Sequence, residues 1–204
     1  MEALLHGVML AFGLILPLGV QNIFVFNQGA THLKFINVLP VIMAAGFSDT
    51  LLIYLAVAGV SFIVFNFEWL TVLLFIGGFF FLVYMGWVMW KSQSEQSGKQ
   101  QSNKLSAKRQ VTFAVSVSLL NPHAIMDTIG IIGTSSLVYT GYEKWLFTAA
   151  CIGVSWVWFL TLAVAGRKLG QLDKNGQLLK RMNQASAIII WGMAMYMGYQ
   201  LFSR

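Results

Sequence analysis

Long hydrophobic runs alternate along the chain with short polar stretches. An α-helix needs about 20 consecutive apolar residues to cross a bilayer, and most of these runs reach that length. The pattern therefore predicts an all-α integral membrane protein with six transmembrane helices. The predicted spans cover about 3–27, 40–64, 69–90, 111–138, 145–166 and 183–202.

The longest polar stretch, residues 92–110, separates two halves that hold three predicted spans each. We expect a first three-helix repeat over 1–91, a polar loop over 92–110 and a second repeat over 111–204, all within a single domain, 1–204. Because each half has an odd number of spans, the two halves insert with opposite orientation. The count therefore predicts an inverted repeat.

Spans one and four each contain polar and helix-breaking residues that a simple membrane anchor does not need. Proline removes a backbone donor, and a side-chain amide is costly in lipid unless it is hydrogen-bonded. We therefore predict that both helices are broken and face protein or water. Paired breaks in corresponding halves indicate the binding site of a transporter. The residues concerned are Pro17, Gly19, Gln21 and Asn22 in the first half and Asn121, Pro122 and His123 in the second.

Composition supports the membrane assignment. Hydrophobic residues make up 57% of the chain and charged residues only 10%, whereas ordinary soluble domains contain roughly 25% charged residues. The first run is long and lacks a basic leader, so we expect a retained span rather than a cleaved signal peptide. The single cysteine, Cys151, lies in an apolar stretch and is expected to be a buried thiol.

The net charge of +6 could suggest a nucleic-acid partner, but the distribution of the charges argues for membrane topology instead. If the spans alternate, one side receives only Lys144 and Arg204, and the positive-inside rule places the other side in the cytoplasm. Both termini are then outside, although a re-entrant first segment would move the N-terminus alone. The cytoplasmic side receives Lys34, Lys91, Lys99, Lys104, Lys108, Arg109, Arg167, Lys168, Lys174, Lys180 and Arg181.

Two of the seven acidic residues, Asp49 and Asp127, fall inside predicted spans. Inserting one Asp at a helix centre costs about 2.5–3.5 kcal/mol, and no Lys or Arg lies in a predicted span to neutralise it. One explanation is structural, with Ser48, Thr50, Thr128 or backbone groups satisfying each carboxylate. The other is that a proton or a cationic substrate binds there, and exclusion of one by the other gives antiport.

The helix breaks supply groups that bind an anion, whereas the two aspartates bind a cation. Backbone amides freed at a helix break favour an anion such as the carboxylate of an amino acid, and Gln21, Asn22 and Asn121 add neutral donors and acceptors. Asp49 and Asp127 would then bind two amines. The set matches a zwitterion that carries one extra cationic group.

His123 follows Asn-Pro directly. It could shuttle protons together with the aspartates, or it could have a hydrogen-bonded packing role. A metal exporter that used the carboxylates, His123 and methionines remains an alternative, but clustered Cys or His ligands are absent from the sequence, so we predict no metal site and no cofactor. An intramembrane aspartyl protease is a weaker alternative, because no Gly-x-Gly-Asp signature precedes either aspartate.

These motifs resemble the lysine exporter (LysE) family, and most closely its lysine/arginine exporter branch. The resemblance covers essentially the whole chain and implies six spans, export of lysine and arginine across the bacterial inner membrane, and coupling to the proton motive force. It is compatible with a homodimer. The matching residues are Gly13-Leu-Ile-Leu-Pro-Leu-Gly19-Val-Gln21-Asn22, Gly46-Phe-Ser-Asp49, and Asn121-Pro122-His123 followed by Asp127-Thr128.

Two positions depart from the pattern of the basic branch. Pro17 occupies a place where that branch usually has a small residue, and Ser48 replaces the common glycine or isoleucine before the aspartate. Export of neutral amino acids, or of a metal or organic cation, therefore stays open as the alternative function.

Overall fold

The computed structural model describes residues 1–16, 19–32, 34–59, 68–91, 105–173 and 177–202. Within these residues the regular structure is entirely helical, which confirms the all-α class. The elements are α1 (Glu2–Ile15), α2 (Val20–Thr31), a 3₁₀ turn (Phe35–Asn37), α3 (Leu39–Val57), α4 (Glu68–Lys91), α5 (Ala107–Leu119), α6 (Pro122–Asp127), a π-helical segment (Thr128–Gly133), α7 (Thr134–Ser136), α8 (Gly141–Leu172) and α9 (Gln177–Phe202).

Helices α3 and α8 are each long and apolar enough to cross a membrane, judged on the described residues alone. Helices α1 and α2 give a third candidate if the bent pair forms one span, since their axes differ by 80°. The protein is thus an integral membrane protein. The other predicted spans and their inverted arrangement remain predictions.

Several predicted boundaries are wrong. The polar stretch 92–110 ends earlier than expected, because α5 begins at Ala107 with the Ser106 side chain accepting a hydrogen bond from its first turn. The basic stretch 167–182 lies between the fifth and sixth predicted spans, yet α8 continues to Leu172 and α9 starts at Gln177. Lysine and arginine are good helix formers, and Lys168, Lys180 and Arg181 are exposed, so a helix can carry them beyond the apolar segment.

The predicted second span ends early as well. Helix α3 has Pro40 in its first turn, where proline is well tolerated, but it ends at Val57 and is followed by Gly59 at a φ of 84°. Only glycine adopts this backbone conformation without steric cost. The rest of that predicted span, residues 60–64, lies outside the described residues.

Helix α2 lies in the protein interior. Eight of its 12 residues are buried, among them the polar side chains of Asn22, Asn27 and Gln28. A helix that was exposed to lipid would place such polar groups where water cannot solvate them. The second half of the first hydrophobic run is therefore surrounded by protein.

Glycines allow α2 and α8 to pack with their backbones in contact. A Cβ atom added at Gly29 would overlap the backbone of Ala163, and one added at Gly166 would overlap the backbone of Phe26. Gly170 faces Ala30 in the same way. Small residues at such crossings are typical of helix pairs in membranes.

The two halves of the chain pack in a reciprocal pattern. Helix α3 contacts α5 and the π-helical segment of the second half, while α8 contacts α1 and α2 of the first half. Helices α3 and α8 also contact each other, and α4 packs along α9.

Candidate functional site

A cavity of about 320 Å³ lies where the two helix interruptions meet. Residues from the end of α1, from α2, α3, α6, the π-helical segment, α8 and α9 form its wall. The polar lining residues are Gln21, Asn22, Asp49, Asn121, Asp127, Thr128 and Ser155. The others are Ala11, Leu14, Ile15, Gly19, Val20, Ile53, Ala124, Ile132, Phe159 and Met193.

The first interruption separates α1 from α2. Helix α1 ends at Ile15, and Gly19 stands directly before α2 in an extended conformation with ψ of 169°. The first amides of a helix have no acceptor within that helix, and the residues that carry them here, Val20, Gln21 and Asn22, all line the cavity. The start of α2 therefore directs partial positive charge into the cavity. The predicted helix breaker Pro17 lies outside the described residues.

Asn22 holds the two half-helices together. Its Nδ2 donates a hydrogen bond of 2.8 Å to the backbone carbonyl of Ile15, the last residue of α1. Helix ends leave carbonyls without an intrahelical partner, and the Asn22 amide satisfies this one. The Asn22 side chain is itself largely buried. Asn22 thus has a structural role at the interruption in addition to its place in the cavity wall.

Gln21 connects α2 to α3 through the first aspartate. Its Nε2 donates to Oδ1 of Asp49 over 3.3 Å. The Ser155 hydroxyl is a second polar group beside the same carboxylate. Asp49 is therefore approached by donors from α2 and from α8, while its own helix, α3, carries it into the cavity.

The second interruption lies between Leu119 and Pro122. Helix α5 ends at Leu119, and the buried side chain of Asn121 lines the cavity just before α6 begins. The backbones of Pro122 and His123 are in α6, but their side chains are outside the described part, so the proposed role of His123 is untested.

The helix remains irregular beyond this second interruption. Asp127 ends α6 and is followed directly by the π-helical segment Thr128–Gly133. Such π-helical turns occur frequently at functional sites. Asp127 lines the cavity and is exposed, whereas Asp49 is partly buried. The two carboxylates thus share one cavity in different surroundings.

The charges of the cavity wall have one sign. Its described lining residues include two carboxylates and no Lys, Arg or His. Elsewhere in the described ranges, no cluster of three or more His, Cys, Asp or Glu residues could hold a metal ion. A cation in this cavity would have acidic partners, and the amides at the start of α2 would suit an anionic group on the same molecule.

Sequence reasoning missed part of the wall. Ser155, Phe159 and Met193, on α8 and α9, line the cavity but are not among the predicted site residues. A serine or an aromatic residue in an apolar helix usually has a packing role, so the sequence offers no signal that separates these positions from their neighbours. Trp156, the next residue after Ser155, does pack, since its ring lies against Gly46 of α3.

The chain is similar to known transporters over almost its full length. The model of the LysE type translocator family matches residues 12–201. "Putative amino-acid transporter YisU" of Bacillus subtilis (strain 168) is 53% identical over 202 residues, which is 99% of this chain and 91% of that protein.

Arginine exporters are more distant relatives. "Arginine exporter protein ArgO" of Serratia proteamaculans (strain 568) is 29% identical over 199 residues, or 96% of each chain. The ArgO protein of Escherichia coli O157:H7 is 27% identical over 193 residues, or 93% of this chain and 90% of that one. No solved structure matches the chain.

Proposed function

The chain belongs to the LysE type translocator family, and from this premise we propose that it exports the basic amino acids arginine and lysine across the bacterial inner membrane. Membership confirms the resemblance read from the sequence. It also makes the protein an amino-acid exporter rather than an enzyme, which removes the protease alternative. Arginine is favoured by the ArgO relatives, which are named as arginine exporters.

The observation that carries the proposal is the shared location of Asp49 and Asp127. They lie about 80 residues apart in the sequence, yet both line one cavity whose described wall contains no basic side chain. A carboxylate inside a membrane protein is unfavourable without a cationic partner, so binding of a positively charged ligand beside it is favourable. Arginine and lysine each carry two cationic groups and one carboxylate.

Each part of such a substrate has a partner in the cavity. Asp49 and Asp127 bind the α-ammonium and the side-chain cation, while the amides at the start of α2 receive the α-carboxylate. Gln21 and Asn121 contribute further polar contacts. Asn22 frames the site, because it also fixes the end of α1.

Proton coupling follows from the same two carboxylates. Either a proton or the substrate cation neutralises them, so the empty carrier returns protonated and exchange of the two gives antiport. His123 is a further candidate for proton transfer, because it stands close in sequence to Asn121 and Asp127. The exported amino acid would then move against its gradient at the expense of the proton motive force.

Alternating access requires two halves that move against each other, and we propose six spans in an inverted repeat. The reciprocal packing of α3 and α8 on the interrupted helices of the opposite half supports this arrangement. The basic stretches would be cytoplasmic, and both termini would be outside. A homodimer is compatible with this topology.

Export from intact cells tests the substrate. Cells that cannot degrade arginine or lysine are loaded with dipeptides, and every amino acid in the medium is followed with and without expression of the protein. We expect selective efflux of basic amino acids, and we expect collapse of the proton gradient to abolish it. Efflux of neutral amino acids alone would overturn the roles of the aspartates. Absence of any amino-acid efflux would favour the metal or organic cation alternative.

A further inference from the structure

Two pairs of adjacent residues face each other across the contact between α3 and α8. Asp49 and Thr50 lie on α3, and Ser155 and Trp156 lie on α8. Behind the cavity, Nε1 of Trp156 donates to Oγ1 of Thr50 over 3.1 Å. In front of it, Asp49 and Ser155 both line the cavity wall. The hydrogen bond between Trp156 and Thr50 therefore fixes the distance between α3 and α8 at the level of Asp49 and Ser155.

The contact between Thr50 and Trp156 leaves α8 little freedom to slide along α3. The Thr50 hydroxyl donates in turn to the Gly46 carbonyl over 2.7 Å, and the Trp156 ring covers Gly46 so closely that a Cβ atom there would come within 2.8 Å of it. Phe47 meets the same ring edge-on at a centroid distance of 5.3 Å. Helix α8 is thus held against α3 at the level of the first aspartate.

The surroundings of Ser155 differ from those of the other Ser and Thr residues of α8. Thr148 and Thr161 each donate to the carbonyl four residues earlier in the helix, over 2.7 Å in both cases. Ser155, which is 4% exposed, lies instead beside the Asp49 carboxylate. Ser155 thus lines the same cavity wall as Asp49.

We propose that Ser155 is a positioning residue that, together with Gln21, fixes the orientation in which Asp49 receives the cationic group of the substrate. This inference rests on the proposed function. Gln21 donates to the carboxylate from α2, and Ser155 lines the same cavity wall from α8, so polar groups flank Asp49 from two helices. A carboxylate fixed before binding has less freedom to lose when the cation arrives.

The expected consequence of losing the Ser155 hydroxyl is weaker binding of the substrate. Without the hydroxyl, Asp49 would still be present but would have to be ordered by the substrate itself, so the loss would be in apparent affinity and not in the turnover of the loaded carrier. A hydrogen bond to a charged group accounts for about a tenfold change in affinity.

The test is uptake of labelled arginine into inverted membrane vesicles, where the cytoplasmic face is outside and the concentration is controlled. For Ser155→Ala we expect the KM for arginine to rise about tenfold with Vmax within about twofold of the parent. Ser155→Thr keeps the hydroxyl and should restore the KM.

A matched control separates a site effect from a packing effect. Ser118 is fully buried in α5 and donates to its own helix at the Ala114 carbonyl, so Ser118→Ala removes a hydroxyl that does not line the cavity. Its KM should be unchanged. An unchanged KM in Ser155→Ala, or an equal fall in Vmax for both alanine variants, would overturn the role of Ser155. If the parent does not transport arginine, the proposed function fails instead.

Discussion

The side chain of Asn22 donates a hydrogen bond from Nδ2 to the backbone carbonyl of Ile15, 2.8 Å away across the interruption of the first helix. The bond joins two half-helices whose axes differ by 80°. Without this bond, the Ile15 carbonyl at the end of α1 would lose the Asn22 amide as a hydrogen-bond donor. The interruption is therefore a defined structural element that places the start of α2 at the cavity.

Replacing Asn22 by leucine should lower the stability of the folded protein. The change removes the donor and leaves the Ile15 carbonyl with one partner fewer, which typically costs about 1–3 kcal/mol. Thermal unfolding in detergent would show this as a lower melting temperature. Transport should fall with it, because the start of α2 is no longer held at the cavity.

Asn37→Ala is the matched control for this variant. Asn37 is exposed at the end of the 3₁₀ turn, so its side chain can be removed without opening a buried gap. It should melt like the parent. If Asn22→Leu also melted at the parental temperature and transported normally, Asn22 would have no structural role at the interruption.

The contact of α2 with α8 should be equally sensitive to one added methyl group. A Cβ atom at Gly166 overlaps the Phe26 carbonyl, so Gly166→Ala forces two backbones apart, and overpacking of this kind costs about 1–3 kcal/mol. Gly153 lies on the same helix with nothing near its Cβ position. Gly153→Ala should be neutral or stabilising by about 0.5–1 kcal/mol, because alanine restricts the unfolded chain.

Melting temperatures of the two glycine variants in the same detergent give a direct comparison. The order of the two melting temperatures is the informative result, because each change adds one methyl group to the same helix, α8. Equal melting temperatures would mean that α2 and α8 do not touch closely in the membrane.

Sequence patterns predicted the chemistry of the site better than its geometry. Proline, glycine and side-chain amides interrupt two apolar runs at corresponding places, so the two breaks and the two unneutralised aspartates are visible in the sequence. The partner of Asn22 is not visible, because a backbone carbonyl such as that of Ile15 has no sequence signature. The 80° bend depends on packing and could not be predicted for the same reason.

The contacts of some residues could not be predicted, because nothing in the sequence pattern distinguishes these residues from their neighbours. Gln110 looks like part of the polar loop, yet its side chain is buried and donates to the carbonyls of Leu105 and Asn37. Ser155 looks like a packing residue in an apolar helix. Only the folded structure shows that Gln110 connects the start of α5 to the 3₁₀ turn and that Ser155 lies beside Asp49.

Single introduced cysteines would test the proposed topology. The native Cys151 is buried and should give little background with a membrane-impermeant maleimide. Lys108 and Tyr142 are exposed near the starts of α5 and α8, and we expect them on opposite sides of the membrane. Lys108→Cys should react in inverted vesicles only, and Tyr142→Cys in right-side-out vesicles only. Reaction of both in the same vesicles would contradict the six-span arrangement.

The central claim is that Asp49 and Asp127 select a cationic amino acid, and exchange in proteoliposomes tests it most directly. Vesicles that contain the purified protein are loaded with arginine, and entry of labelled arginine is measured for the parent, Asp49→Asn and Asp127→Asn. Glu143→Gln serves as the control, since this carboxylate is exposed at the start of α8.

We expect exchange by the parent and the control, and a fall of at least about tenfold in each aspartate variant, because a hydrogen bond to a charged group contributes about 1.5–3 kcal/mol and each variant removes one such partner of the substrate. The parent should exchange arginine for arginine or lysine and should reject citrulline. Folded Asp49→Asn and Asp127→Asn proteins that both exchange arginine at the parental rate would contradict the account.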